Sequence, residues 1–290
     1  MLVIVILWLT SRTRWQPSAP LRLERRRAWG SIVNAARRMY FDHLRLFLGI
    51  GLLFFPLGAV ITGIQYALVH LSSLNGLVDS AGSTNAVVDF LAIALGIVLT
   101  VFGLAVVQSA TAVAMVELDA GREATALGAY RETLSRVGSL LGAVLVAALV
   151  VGIFGLTGIG LLISIWLLVR WALFAQAIAL EDASALGALR RSGRLVQGNW
   201  WRVGSLMLFV TVIALLLGPL CGTLLLFVTH ASFDFINLVS SVVYAAALPY
   251  VAIATTYLYF DLRVAKQHEA EATEAGEVLP VEAPPAVAPQ

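Results

Sequence analysis

Residues 136–182 read RVGSLLGAVLVAALVVGIFGLTGIGLLISIWLLVRWALFAQAIALED. Arg136 and the pair Glu181-Asp182 bracket two apolar runs, Val137–Leu156 and Ile159–Ile178, joined by a turn without charge. A helix needs about 20 apolar residues to cross roughly 30 Å of hydrocarbon. Both runs meet that length. Inside a bilayer a span must satisfy its own backbone, which these runs can do only as helices. The stretch therefore decides the fold class: an all-α, polytopic integral membrane protein.

Working outward, four further runs are long enough: Leu46–Leu68, Val87–Val116, Val203–Val228 and Phe235–Tyr259. The sequence thus predicts six transmembrane helices. Val87–Val116 exceeds one bilayer thickness, so it tilts or extends past the lipid. Pro56, Pro219 and Pro249 interrupt three spans. Each lacks an N–H and frees a carbonyl that a neighbouring helix can satisfy. The whole composition agrees: 60% of the 290 residues are hydrophobic and 12% charged, against about 45–50% and about 25% in soluble domains.

Charge orients the spans. Of the 19 cations, nine precede residue 46, three lie between Glu117 and Val137, four between Leu180 and Val203, and Arg263 and Lys266 follow the last run. The loops around Asn75–Gly82, Leu156 and His230–Asp234 hold none. By the positive-inside rule both termini are expected in the cytoplasm of a multi-pass protein of the bacterial cytoplasmic membrane. Cys221 is the single cysteine, so no disulfide framework and no cysteine-rich metal site is expected.

Three regions follow. Residues 1–23 form a short apolar segment and a basic linker. Met1–Leu9 is too short to span, and reads as an interfacial anchor or as the end of a truncated span. Its positive charge follows the apolar run, unlike a cleaved signal peptide. Residues 24–263 form the six-span domain. Residues 264–290, rich in Glu, Ala, Val and Pro, read as a disordered cytoplasmic tail.

A three-fold internal repeat of helix plus hairpin runs through the domain. Ala28-Trp-Gly-Ser-Ile32, Ala126-Leu-Gly-Ala-Tyr130 and Ala185-Leu-Gly-Ala-Leu189 share a pattern, and each precedes an apolar hairpin. Trp29, Ile32, Ala36, Met39 and Tyr40 fall on one helical face, as do Leu186, Leu189, Gly193, Val196 and Trp200. Each unit is expected to open with an amphipathic, arginine-bearing helix lying flat at the cytoplasmic interface.

Residues 181–201, EDASALGALRRSGRLVQGNWW, follow Arg170-Trp-Ala-Leu-Phe-Ala-Gln-Ala-Ile-Ala-Leu180, and the last span ends Tyr257-Leu-Tyr-Phe-Asp-Leu-Arg263. With Trp29-Gly-Ser-Ile-Val-Asn-Ala-Ala-Arg-Arg-Met-Tyr-Phe-Asp-His-Leu-Arg45, these stretches resemble a bacterial and archaeal family named for the membrane domain of glycerophosphoryl diester phosphodiesterase. The resemblance covers roughly residues 24–263. It implies a six-span membrane module with an arginine in its fourth span. In the enzyme the chemistry belongs to a separate soluble barrel of acidic and histidine ligands. This chain carries no such stretch, and its four histidines, His43, His70, His230 and His268, are scattered.

Arg170 is the only one of the 19 cations inside an apolar run, eight residues before Ile178. Burying a charge there costs on the order of 3 kcal/mol. It either snorkels to the headgroups on its long stem or forks onto an oxyanion. Two oxyanion classes stand open: an interior carboxylate, with Glu117, Asp89 and Asp261 as candidates, or a lipid phosphate. Arg37, Arg38, Arg190, Arg191 and Arg194, with the border tryptophans Trp200 and Trp201, are candidate headgroup contacts. Gln108, Ser109 and Thr111 should hydrogen-bond across helices, and Gly218-x-x-x-Gly222 should let two helices pack closely. No P-loop, zinc-protease helix, nucleophile elbow or dinucleotide fingerprint occurs.

No catalytic, cofactor-binding or metal-binding residue is therefore expected, and no cofactor. The leading reading is a non-catalytic membrane scaffold or lipid-associated module. Its partners are membrane lipids, anionic ones among them, and no nucleic acid. The alternatives are a transporter or permease subunit for an amphipathic or lipid-like substrate, and an intramembrane enzyme acting on lipid headgroups.

Overall fold

Where lipid offers no hydrogen bonds, a run such as Val137–Gly155 can satisfy its backbone only within itself, and it coils into helix. The computed structural model describes residues 23–56, 58, 60, 63, 64, 66, 67, 86–157, 160–229 and 232–277. Among them are ten helices: α1 (Trp29–Asp42), α2 (Leu44–Leu52), α3 (Ala86–Asp119), α4 (Ala126–Ser135), α5 (Val137–Gly155), α6 (Gly160–Arg170), α7 (Phe174–Glu181), α8 (Ala185–Val196), α9 (Trp200–Val228) and α10 (Phe233–Glu277). No strand occurs among the described residues. The fold is all-α and polytopic.

Five helical stretches are long and apolar enough to cross a membrane: Ile93–Asp119, Val137–Gly155, Gly160–Glu181, Trp200–Val228 and Phe235–Ala272. The first of the six expected spans is the exception. There α1 meets the stretch Leu44–Pro56 at a bend of 91°, and beyond Pro56 only scattered residues are described. Met1–Leu9, the Asn75–Gly82 loop and residues 278–290 lie outside the described residues.

The three-unit reading has a counterpart in the packing. The short helix opening each unit lies on the closing span of the unit before it: α4 on α3, α8 on α7, and, closing the circle, α1 on α10. Two copies share a physical cause for their common sequence. Thr125 and Ser184 cap α4 and α8, accepting from the N–H groups of Gly128 and Gly187 at 3.1 and 3.3 Å. A Cβ on either glycine would come within 2.8–2.9 Å of the capping oxygen. Copy one departs, since α1 has Ala28 at its N-cap and no side-chain cap.

The short amphipathic helices are present as expected, and their apolar faces pack on the bundle. Ile32, Ala36 and Met39 of α1 are fully buried, as are Ala188, Ser192, Leu195 and Val196 of α8. Small residues, Gly30, Ala35 and Gly193 among them, are interleaved on these faces and let the helices dock closely on the bundle. Leu186, expected on the apolar face of α8, is exposed.

Close approach recurs where α2 crosses α10. A Cβ on Gly51 would lie 2.4 Å from the Ala245 carbonyl oxygen. Pro249 has no N–H for that carbonyl, and the Tyr40 hydroxyl donates to its neighbour, the Ala246 carbonyl, at 2.8 Å. Gly218 and Gly222 likewise face Ser240 of α10, so this glycine pair packs within the chain.

The tail also departs from expectation. Residues 264–277 continue α10 as helix. Ala, Lys, Gln and Glu are good helix formers, and a span already wound removes the nucleation penalty. Lys266 and Glu269 add an ion pair at 2.7 Å.

Candidate functional site: the arginine-rich end

The apolar stretches of α3, α7 and α10 each give way to a carboxylate: Glu117, Glu181 and Asp261. Each is met by arginine. Asp261 is completely buried. Its Oδ1 accepts from the Arg27 backbone N–H at 2.6 Å, and its Oδ2 lies 2.7 Å from Arg202 Nη2. Arg202 also donates to the Arg27 carbonyl, and Arg26 Nε stands 3.9 Å away. One carboxylate thus ties the chain before α1 to α9 and α10.

Glu181 accepts from Arg191 Nη2 at 2.9 Å and from the Tyr259 hydroxyl. Glu117 accepts from Arg122 Nη2 at 2.8 Å. A further pair joins Arg136 to Asp182, with Glu132 3.2 Å from the same guanidinium. Arg136 holds the Asp182 carboxyl below the usual carboxylate range, and Asp182 in turn raises Arg136. The Glu181 hydrogen bond likewise raises Arg191.

Between these span ends lies a crevice of about 420 Å³. Glu117, Asp119 and Glu132 line it with Arg122, Arg136 and Arg263. Its charges largely satisfy one another, Arg263 reaching Glu24 at 3.7 Å. Among the described residues no group of three His, Cys, Asp or Glu side chains is placed to hold a metal ion.

Two sets stand out among the described arginines, beside the exposed Arg25 and Arg45. Arg26, Arg122, Arg136, Arg191, Arg202 and Arg263 face carboxylates. Arg37, Arg38, Arg131, Arg190 and Arg194 have no described carboxylate within ion-pair distance, and all but the half-buried Arg38 are exposed. They sit on α1, α4 and α8, so every short helix exposes at least one arginine that faces no described carboxylate. Arg191, expected at the headgroups, belongs to the paired set. Arg131 was missed by the sequence reading, although it sits on the second repeat copy just as Arg190 sits on the third.

Arg170 ends α6, where a turn at residues 171–173 breaks the span before α7. Neither Glu117 nor Asp261 pairs with it, because Arg122 and Arg202 occupy them. The side chain of Asp89 lies outside the described residues. The Arg170 guanidinium instead stacks on Trp166, 4.9 Å from the ring centroid, and lies against Gly193 of α8. The Ser192 hydroxyl donates to the Arg170 carbonyl at 2.9 Å and accepts from the Leu173 N–H at 3.1 Å, pinning α8 to the break. Trp200 Nε1 donates to the Trp166 carbonyl at 3.3 Å, and Trp201 stands at right angles to it, 82% exposed.

Deeper in the bundle, Gln176 Nε2 donates to Gln108 Oε1 at 3.3 Å and Ser109 Oγ to the Ala175 carbonyl at 3.2 Å. Thr111 bonds its own helix, to the Val107 carbonyl. Toward the opposite end, a cavity of about 830 Å³ opens beside Pro219, with Asn237, Ser240, Ser241 and Tyr244 on its wall.

A family model described as a domain of unknown function (DUF7847) matches residues 109–265. The match takes in Glu117, Arg170, Glu181 and Asp261 and leaves out α1 and α2. No curated protein and no solved structure matches the chain.

Proposed function

This chain belongs to the DUF7847 family, whose description assigns no activity, and from its site we propose a non-catalytic module of the cytoplasmic membrane that gathers anionic lipid headgroups around its arginine-rich end. The observation that carries this reading is the division of the arginines. One set is consumed by carboxylates inside the fold, while Arg37, Arg38, Arg131, Arg190 and Arg194 ring the bundle without them. Cations near an anionic surface gain about 1 kcal/mol each. The one-sided distribution of cations supports a cytoplasmic position for this end and for both termini. A permease subunit for an amphipathic substrate is a second reading, supported by the cavity beside Pro219.

The test uses the full chain in nanodiscs of phosphatidylcholine with increasing phosphatidylglycerol. Wild type should melt at a higher temperature as the anionic fraction rises, and added salt should shrink the gain. Replacing these five arginines of the short helices by alanine should remove most of it. An identical response of wild type and variant would remove the lipid reading.

A further inference from the structure

Arg170 stands apart from the other free arginines, because it lies within the span Gly160–Glu181 and not on a short outer helix. Three features around it belong together. Its guanidinium has no carboxylate within ion-pair distance among the described residues and is only partly covered. Its position is built: Trp166 stacks beneath it, the Trp200 indole holds the Trp166 carbonyl, and Ser192 holds the carbonyl of Arg170 itself. Finally, Gly193 makes room for it. A Cβ there would lie 3.0 Å from Arg170 Nε and 3.4 Å from Nη2. The next residue, Arg194, is exposed and also lacks a carboxylate. Leu162 and Trp166, about two turns and one turn before it on the same face of α6, are 73% and 45% exposed, giving an apolar strip that leads to the guanidinium.

We propose that Arg170, with Arg194 across Gly193, holds the phosphate of one membrane lipid whose acyl chains lie along the exposed face of α6. The chemistry follows from the parts. A guanidinium offers parallel N–H donors that match two phosphate oxygens. Trp166 covers one face of the guanidinium and fixes its plane. An interior carboxylate would neutralise the charge equally well, but the described carboxylates of Glu117, Glu181 and Asp261 are taken by other arginines. A phosphate carried by lipid reaches this position because its tails already occupy the surrounding bilayer. This site rests on the lipid-gathering role proposed above and adds a specific, single occupant to it.

Native mass spectrometry of the full chain, released from detergent with phosphatidylglycerol titrated in, reads each bound lipid as a separate mass. Wild type should take a first lipid about tenfold more tightly than the following ones, as expected for a charge-assisted contact. Arg170→Lys and Gly193→Ala should each reduce that first step to the level of the rest. Gly193→Ala keeps every charge and displaces only the guanidinium, so it separates the site from general basicity. Monodisperse elution and a wild-type melting curve show that a variant is folded. The five-arginine variant of the outer ring keeps Arg170 but loses Arg194, so Arg37→Ala/Arg38→Ala/Arg131→Ala/Arg190→Ala serves here, and it should weaken the later steps while sparing the first. First-lipid affinity unchanged in Gly193→Ala and Arg170→Lys would overturn the site while leaving the lipid-gathering role standing. Loss of the first lipid in the outer-ring variant would also overturn it. Competition by inorganic phosphate at millimolar concentration, abolished by Arg170→Lys, would mean that the site takes free phosphate and would overturn the lipid assignment.

Discussion

The same two helices have different surroundings at their two ends. At the end of α10 near its start, Phe233, Phe235 and Leu238 are 72%, 53% and 57% exposed, while Ile253, Tyr257 and Leu262 farther along are completely covered. Helix α9 repeats the gradient in reverse: Val203, Leu206 and Val210 are buried, and Leu220, Leu224 and Phe227 are open. Composition does not separate the ends, since both are apolar. Neighbours do. At the arginine-rich end α1, α4 and α8 wrap the span ends, so side chains pack on protein and charges pair across elements. At the other end the described helices leave their leucines to lipid, which is as apolar as the side chains it touches. One half is therefore covered by protein on most sides, while the other is open to lipid outside the contact of Gly218 and Gly222 with Ser240, and substitutions should feel the difference.

The largest effect should come from Asp261. Its carboxylate is fully buried against the Arg27 N–H and Arg202. Removing one partner from such a cluster leaves buried charge uncompensated, at a cost of about 3–5 kcal/mol. Asp261→Ala should lower the melting temperature of the detergent-solubilised chain far more than Arg122→Ala, which breaks only a solvent-screened pair with Glu117. Equal melting of the two variants would mean that the arginine-rich end is not organised around Asp261.

Much of this contrast could be read from the residues before any coordinates. Apolar run length alone places the last five spans, because a bilayer leaves the backbone no alternative to helix. The repeat is legible through Thr125-Ala-Leu-Gly128 and Ser184-Ala-Leu-Gly187, where a cap and the glycine beside it have one physical cause. Partner choice is not legible. Whether Asp261 meets Arg170 or Arg202 depends on how α9 and α10 cross, which no periodicity encodes. The docking of α1 was hidden for a related reason. An amphipathic face looks the same whether it meets lipid or protein, and only the small residues Gly30, Ala35 and Ala36 hint at a close partner. Helix beyond Arg263 was masked by composition, since a charged stretch that would stay disordered alone can continue a helix already formed.

A second, smaller effect probes the core beneath α1. Met39 is fully buried and makes up part of the surface on which α1 docks. If that face is protein core, Met39→Ala leaves a cavity and costs about 2–5 kcal/mol, the lower part of the range where neighbours relax. If the face met lipid instead, acyl chains would refill the space and the cost would be slight. Thermal melting in detergent and in phosphatidylcholine nanodiscs separates the two: a core cavity destabilises equally in both. A loss seen in detergent alone would return α1 to the membrane surface.

The smallest effect belongs to the far end. Leu224 on α9 is 64% exposed, and its side chain faces what should be hydrocarbon. In water, exposing or deleting a leucine changes the hydration of the surface. In a bilayer the alternative contact is a lipid tail of the same polarity, so truncation forfeits little driving force. Leu224→Ala should therefore shift melting by less than about 0.5 kcal/mol, the usual scale of surface substitutions. Leu224→Asp tells more. A carboxylate facing hydrocarbon costs on the order of 3 kcal/mol, so this variant should insert poorly into membranes, whereas aspartate on a water-facing surface would be silent. Normal membrane yield and unchanged melting for Leu224→Asp would place the far half of α9 in water or against a protein partner, and would remove the contrast between the two halves.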